Sequence, residues 1–556
     1  MRIEVVWCIF QFVTFVRIFS IHIALGFATM ADSKRKTSSS SIDSSSSKRA
    51  KLSLEKDIED FIKTSLKHGM IEAVAGAGKT YALQHYCLPH MEGKKILYLA
   101  FNKHIVEEAK KDLPDTVDVK TFHSFAWAHY FANTNNNLTL KENLKFESAG
   151  CAGKDKYKKS AAVAKLATLA QNTLTDLEEE KINDLRVHHA IGFDLEPVQQ
   201  TFVVKKSLSM LQRTQEDFRN GVLECADHDD SLWLSFHFCM ESSKVHYDWI
   251  IVDEAQDLTP LQIEFLLRLR QNARIFVVGD SRQSIYSFRG ASPNAMNDLR
   301  NKLNVKEFSL PECRRCPSSH IELAKKIVSH IEPISTSLRG SIRVVDWATS
   351  KPEVQPRDLV MSRNAKPIVS GAYECIRSGM PAKIVGETPL KRALLEFFKD
   401  CTRKTSTEEM QKEADDRLKR IKREYFSSGQ ATRLVYWEDL TSCIKFFIDT
   451  GKSAREIIRD IENIFVKETS EGCIQFSTIH RSKGSSAPRV WILIHQDVLD
   501  GDMSEEEQNL LYVALTRCKQ NWQDVPPEQC GILRFAKSPS TEYQIPKLIF
   551  DTFTDL

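Results

Sequence analysis

Transfer of a phosphoryl group needs a lysine, a hydroxyl ligand for magnesium and a pair of carboxylates, and two stretches of this chain carry those types at suggestive spacing. In "IEAVAGAGKTYAL" (71–83), the backbone N–H groups of Ala75, Gly76, Ala77 and Gly78 can approach phosphates because the two glycines leave room. Lys79 would then reach the β and γ oxygens, and the hydroxyl of Thr80 would ligate magnesium. Ala73 stands where the pattern G-x-x-x-x-G-K-[ST] wants its first glycine, so this stretch alone does not establish ATP binding. The second stretch, "YDWIIVDEAQDLTPLQ", supplies a Walker B element. Asp253 would hold magnesium through its water shell, and Glu254 would polarise the attacking water. An acidic helix cap would account for Asp257 but not for the apolar run before the pair.

These side chains have to be delivered by strands. Met70, Ile71, Ala73 and Val74 form a short apolar run, and "GAGKT" opens a helix through Tyr81, Ala82 and Leu83, the strand–loop–helix order a phosphate loop requires. Trp249 to Val252 likewise brings Asp253 and Glu254 to the carboxyl end of a strand, where α/β sheets bind ligands. A third apolar run, Ile275 to Val278, ends in Gly279-Asp280, followed by Gln283, Tyr286, Phe288 and Arg289. Aromatics beside cations suit stacking on unpaired bases, although such rings by themselves are more often core.

With 556 residues the chain exceeds a single core, and the length suggests roughly three or four domains. Its 42% hydrophobic and 27% charged residues are ordinary for a globular protein, and a net charge of +3 announces no nucleic-acid partner. Thirteen scattered cysteines suggest a reducing compartment. Only Cys313 and Cys316 have metal-like spacing, and without a second pair they read as small buried residues, so no metal cluster is expected. Residues 1–29 are apolar enough for a signal peptide or a poor membrane anchor, but Gln11, Arg17 and His22 interrupt them, and a start at Met30 is the favoured reading. A serine-rich tail over 30–51 carries Lys34-Arg35-Lys36 and Lys48-Arg49-Ala50-Lys51, two basic clusters spaced as in a bipartite signal for a nuclear import receptor. A solvated basic tail is the alternative.

Eight segments in order resemble the UvrD/Rep-like branch of superfamily 1 DNA helicases. They are "AVAGAGKT", "YLAFNKHIVEEA", "VKTFHSFA", "VDEAQD", "VGDSRQSIYSFRGA", "LPECRRCPSSHI", "FSTIHRSKG" and "EEEQNLLYVALTRCK". That branch often has alanine at the position of Ala73. "AFNK", "TFHS", "IYSFRGA" and "NLLYVALTR" read closest to the catalytic core of F-box DNA helicases, although no F-box is seen. The resemblance implies that Gln283, Arg315 and Arg517 sense the γ-phosphate, with the two arginines neutralising charge in transfer. It also implies that Asn102, Thr121, His123, His480 and Lys483 contact the DNA backbone, and that Tyr286, Phe288 and Arg289 contact bases.

Three departures stand out. Ser485 and Ser486 replace the leucine and glutamate that follow the glycine of "SKG", Arg314 stands where relatives place an adenine-stacking aromatic, and no apolar strand follows directly after Lys519. The fold implied is α/β: two RecA-like doubly wound parallel-sheet motor domains, over 52–300 and 301–556, with ATP and Mg2+ between them. Helical insertions are expected at about 131–246 and 391–465, the charged stretch Glu408 to Arg423 being read as a solvated helix face. The function implied is an ATP-dependent 3′–5′ helicase or translocase acting on single-stranded DNA and duplex junctions, in nuclear repair or recombination. An RNA helicase, or a nucleic-acid-binding protein that has lost turnover, are the alternatives.

Overall fold

The structure is a computed structural model that describes residues 43–131, 138–153, 155–240, 245–385, 389–401, 406–428, 434–466, 472–494 and 503–537. Residues 1–29 and the cluster Lys34-Arg35-Lys36 lie outside the described residues, as do the side chains of the second basic cluster. The chain divides between Ser53 and Leu54, and the architecture below is that of the unit Leu54–Leu556.

Six short runs of apolar and β-branched residues pair in parallel into the first sheet, in the order Val117–Thr121, Ile96–Ala100, Trp249–Val252, Arg274–Gly279, Gly69–Ala73, Lys306–Leu310. Strands covered by helices on both faces read as continuous hydrophobic runs rather than alternating ones, and "WIIV" and "ILYLA" are buried at every position. Register then decides what meets what. Leu99 pairs with Val252, Val252 with Val277, and Glu72 with Gly279, so the strands preceding the phosphate loop, Asp253 and Asp280 end at one edge of the sheet. Crossover helices start where capping side chains allow: Asn102 caps Lys103–Asp112 through the N–H of Ile105, and Thr259 caps Pro260–Leu269 in a capping box with Gln262.

A second parallel sheet of seven strands follows, ordered Ser341–Asp346, Ile532–Lys537, Arg489–Ile494, Leu359–Ser362, Ile474–Thr478, Ala382–Val385, Phe465–Val466. The apolar strand missing directly after Lys519 is Ile532–Lys537, which comes after an irregular connection and pairs between two strands, in register with Ser341–Asp346 on one side and Arg489–Ile494 on the other.

Helices fill the chain between the paired motifs. Lys156–Asn172, Glu179–His188, Pro197–Arg219 and His228–Leu234 precede the strand at Trp249, and buried Lys145 pairs with Asp227 and, at 2.9 Å, Asp230 at the start of the last of them. Pro389–Asp400, Thr407–Ser428, Leu434–Ile448 and Ala454–Ile464 interrupt the second half. Here Glu408 to Arg423 is not simply a solvated face: Met410, Ala414 and Ile421 are buried, and Arg417 forms a 2.8 Å ion pair with Asp194 of the earlier helical segment. Apolar residues at three- and four-residue spacing on that helix supply the buried stripe despite the density of charge. No helix among the described residues is long and apolar enough to cross a membrane.

Candidate nucleotide and nucleic-acid site

The phosphate loop turns at Gly76 and Gly78, with φ of 70° and 89°. At Gly76 the requirement is steric as well as conformational, since a Cβ there would lie 2.6 Å from Cβ of Arg315 and 3.1 Å from Sγ of Cys313. The loop is thereby in contact with the second half of the chain: Arg314 donates its N–H to the Gly76 carbonyl at 2.9 Å, and Ala75 donates its N–H to the hydroxyl of Tyr512 at 2.7 Å. Ala73 closes the strand, Ala77 is buried, and Thr80 is exposed on the first helical turn.

Lys79 projects into a group of carboxylates, with Nζ 2.7 Å from Oε2 of Glu254. Burial alone would push its ammonium down, yet Glu254, Asp253 and Asp280 outweigh that and hold it above the ordinary lysine value. Burial raises the carboxyl of Glu254, but Lys79 and Lys483 more than reverse this and hold it down at about 2. Asp253 moves the other way, raised by burial and by the neighbouring Glu254. Burial also pushes Asp280 up to about 6. Glu254 itself sits at φ 51°, a left-handed backbone that a glutamate adopts only under constraint. That turn lets its own N–H donate to Oδ1 of Asp253 at 2.8 Å.

Several groups around these residues were not foreseen from sequence. Tyr98 donates its hydroxyl to Oδ2 of Asp253 at 2.6 Å. Gln256 accepts the N–H of Asp280 at 3.0 Å and donates to Glu254. The Tyr512 hydroxyl lies 3.4 Å from Oδ2 of Asp280. The only trace in the sequence was a tyrosine set among aliphatic residues, in "ILYLA" and "NLLYVAL", and a buried hydroxyl must find a partner.

The three γ-phosphate candidates converge on the same crevice. Gln283 donates to Oδ2 of Asp280 at 2.6 Å. Arg315 packs on Gly76 and donates to the Thr516 carbonyl at 3.3 Å. Arg517 is fully buried and donates to Val513 O, Ser485 O and Thr516 Oγ1, all neutral oxygens. Burial, then Arg315, lowers its guanidinium to about 10, a measure of how much it would gain from an anionic partner. Cys313 and Cys316 are buried on either side of this arginine turn.

A cleft of about 800 Å3 lies over the Ile96–Ala100 and Val117–Thr121 strand ends, lined by Asn102, Thr121 and His123 together with Lys103, Lys110 and Lys120. Thr121 caps a short helix through Ser124, and His123 approaches Asp229 at 3.4 Å. Beyond it, Tyr286 stacks on Phe101 at 6.2 Å and 8° and donates its hydroxyl to the His480 carbonyl. Phe288, 40% exposed, meets the ring of His480 edge-on at 5.4 Å. Arg289 is in the same turn, and its side chain lies outside the described residues.

Lys483 is engaged within the protein. Its ammonium donates to both oxygens of Asp257 at 2.7 Å and to the Gln283 carbonyl at 2.6 Å, so its three donors are used inside the protein. The physical cause is Asp257, whose side chain is 3% exposed and needs a cation where water cannot reach it. Even so paired, burial leaves that carboxyl up at about 6.

Comparison with known proteins identifies the two matched regions. Residues 54–304 match the UvrD/REP helicase N-terminal domain and residues 474–521 the UvrD-like helicase C-terminal domain. F-box DNA helicase protein 1 of Schizosaccharomyces pombe is 24% identical over 85% of this chain and 58% of its own length. F-box DNA helicase 1 of Gallus gallus is 24% identical over 81% of this chain and 46% of its own length. A probable DNA helicase II homolog of Mycoplasma pneumoniae is 24% identical over 46% of this chain and 39% of its own length. The chain thus spans about half the length of the relatives it matches. With both terminal domains present in order on the two parallel sheets, the chain belongs to the UvrD-like helicase family.

Proposed function

We propose that this chain is an ATP-driven DNA helicase or single-strand translocase. The observation that carries the reading is the crevice in which Lys79, Asp253, Glu254 and Asp280 of one sheet face Arg315 and Arg517 from the other half of the chain. A family relationship alone would not require these charges to meet.

The residues fit a divalent cation. Asp253, Glu254 and Asp280 crowd around the ammonium of Lys79, and a bound cation would relieve their mutual repulsion. Among the described residues no group of three or more His, Cys, Asp or Glu side chains is placed to hold a metal. Magnesium is commonly held by one or two side chains plus substrate phosphates, and here Asp253 and the Thr80 hydroxyl would supply them. When bound, it would neutralise charge on the transferring phosphoryl group.

The chain's own residues do the rest. Lys79 is engaged with Glu254, and a triphosphate in the loop competes for that ammonium. Release from Lys79 returns basicity to Glu254, which can then orient the attacking water and draw on its proton. Arg315 and Arg517 approach the γ-phosphate from the later half of the chain, so hydrolysis alters the attraction between the two halves. Such a cycle shifts their grip on a strand lying along Asn102, Thr121, His123, Tyr286 and Phe288.

Movement 3′ to 5′, work in repair or recombination, and a nuclear location supported by the two basic clusters belong to the same proposal. The deciding experiment compares ATP hydrolysis with no nucleic acid, with single-stranded DNA and with RNA, alongside strand displacement on tailed, forked and gapped duplexes. DNA-stimulated hydrolysis with displacement from a 3′ tail is expected. Stimulation by RNA alone would move the protein to an RNA helicase, and nucleotide-independent binding without turnover would make it a binding protein.

A further inference from the structure

We propose that Tyr98 is a positioning residue for Asp253, orienting the carboxylate through which the protein holds a divalent cation; this rests on the role just given to Asp253. Tyr98 is the single polar-tipped side chain in the strand "ILYLA", and it is wholly buried. Its strand lies beside the one that leads into Asp253: Tyr98 pairs with Ile251, and the N–H of Asp253 donates to the Leu99 carbonyl at 3.1 Å. The hydroxyl therefore arrives from the neighbouring strand at Oδ2, at 2.6 Å, while Oδ1 takes the N–H of Glu254 at 2.8 Å.

Two donors from two directions fix both the plane and the torsion of one carboxylate. A single donor would leave it free to turn about that bond. The left-handed backbone at Glu254 serves the same end, since it aims that N–H back at Asp253. Lys79, the nearest cation, spends its short contact on Glu254, so Asp253 depends on neutral donors for its orientation. Donors of this kind behind a metal-binding group commonly set its affinity: their removal costs about 10- to 100-fold in metal binding.

The test is Tyr98→Phe, which keeps the ring and deletes the donor. Binding of Mn2+ in the presence of ADP, followed by the electron paramagnetic signal of free Mn2+, should weaken about tenfold or more. Binding of ADP in EDTA should stay within about twofold of the parent. An unchanged Mn2+ affinity would overturn the proposal, whatever happens to the melting temperature, because the hydroxyl would then be only a satisfied core group. Tyr98→Phe in an Asp253→Asn background guards against a single variant that does not fold, since it removes the buried charge together with its donor. That double variant should bind Mn2+ as Asp253→Asn alone does, and a further loss would show that Tyr98 acts elsewhere. Neither measurement needs hydrolysis or unwinding, so a parent protein that binds Mn2+ and ADP but displaces no strand would refute the proposed function and leave this inference to its own result.

Discussion

Glu254 has two opposed requirements: it must stay ionised in a buried crevice and yet be able to take up a proton from water. Lys79 supplies the first and its withdrawal the second. Lys79→Ala should accordingly abolish hydrolysis and weaken nucleotide binding, while Glu254→Gln should abolish hydrolysis but retain binding; steady-state ATPase at saturating single-stranded DNA, with nucleotide titrations, checks both. The nucleic-acid side separates just as sharply. Phe288 is exposed enough that Phe288→Ala should cost under about 1 kcal/mol of stability, yet lose about 1 to 3 kcal/mol of single-strand binding if it stacks on a base. Lys483→Ala should behave in the opposite way. It orphans Asp257 in the interior, so stability should fall by about 3 to 5 kcal/mol while the slope of DNA affinity against salt stays near the parent's, because no phosphate contact is removed. Denaturant unfolding and binding at several salt concentrations read these outcomes.

At the scale of single elements, the helix Ser318–Ala324 carries a histidine where a core helix would carry a hydrophobe. His320 is fully buried, and burial lowers its imidazole to about 4. The unfolded chain, with an ordinary histidine value of about 6.5, binds more protons between these limits. The stability contributed by the neutral ring is therefore complete above about pH 6.5, and is lost as pH falls through that window toward 4. Between pH 7 and pH 5 the parent should lose roughly 2 kcal/mol more than His320→Phe, measured by urea unfolding at each pH. This helix follows directly on the arginine turn, so acid would act on the placement of Arg315 as well as on global stability.

Across the whole molecule, the two halves meet at the nucleotide crevice and again where the helical segments touch. The second meeting is the Arg417–Asp194 pair, beside a small apolar cluster of Ala190, Phe193 and Ile421. Both charges are largely buried, so Arg417→Ala should destabilise by about 3 to 5 kcal/mol by leaving Asp194 unpaired. Arg417→Leu with Asp194→Leu should be near the parent or better, since a well-packed apolar pair avoids the desolvation cost. Thermal unfolding of the two variants against the parent decides it, and equal losses in both would mean that packing, not charge, joins the segments.

What the sequence determined was whatever depends on neighbours along the chain. "AGAGKT", "VDEAQD" and the apolar runs before them are local patterns, and a strand, a tight loop and a helix start follow from residue type and spacing alone. The parallel α/β class was legible for the same reason. What only the tertiary structure decided was which distant groups share a buried space. Lys483 pairs with Asp257, 226 residues away, and nothing local in "RSKGSS" marks that partner. Tyr98 and Tyr512 were silent for the same reason, as was the late strand Ile532–Lys537, whose place in the sheet depends on two edges formed elsewhere. Hydrogen bonds and ion pairs in the interior are settled by desolvation, and desolvation belongs to the packed molecule rather than to any segment of it.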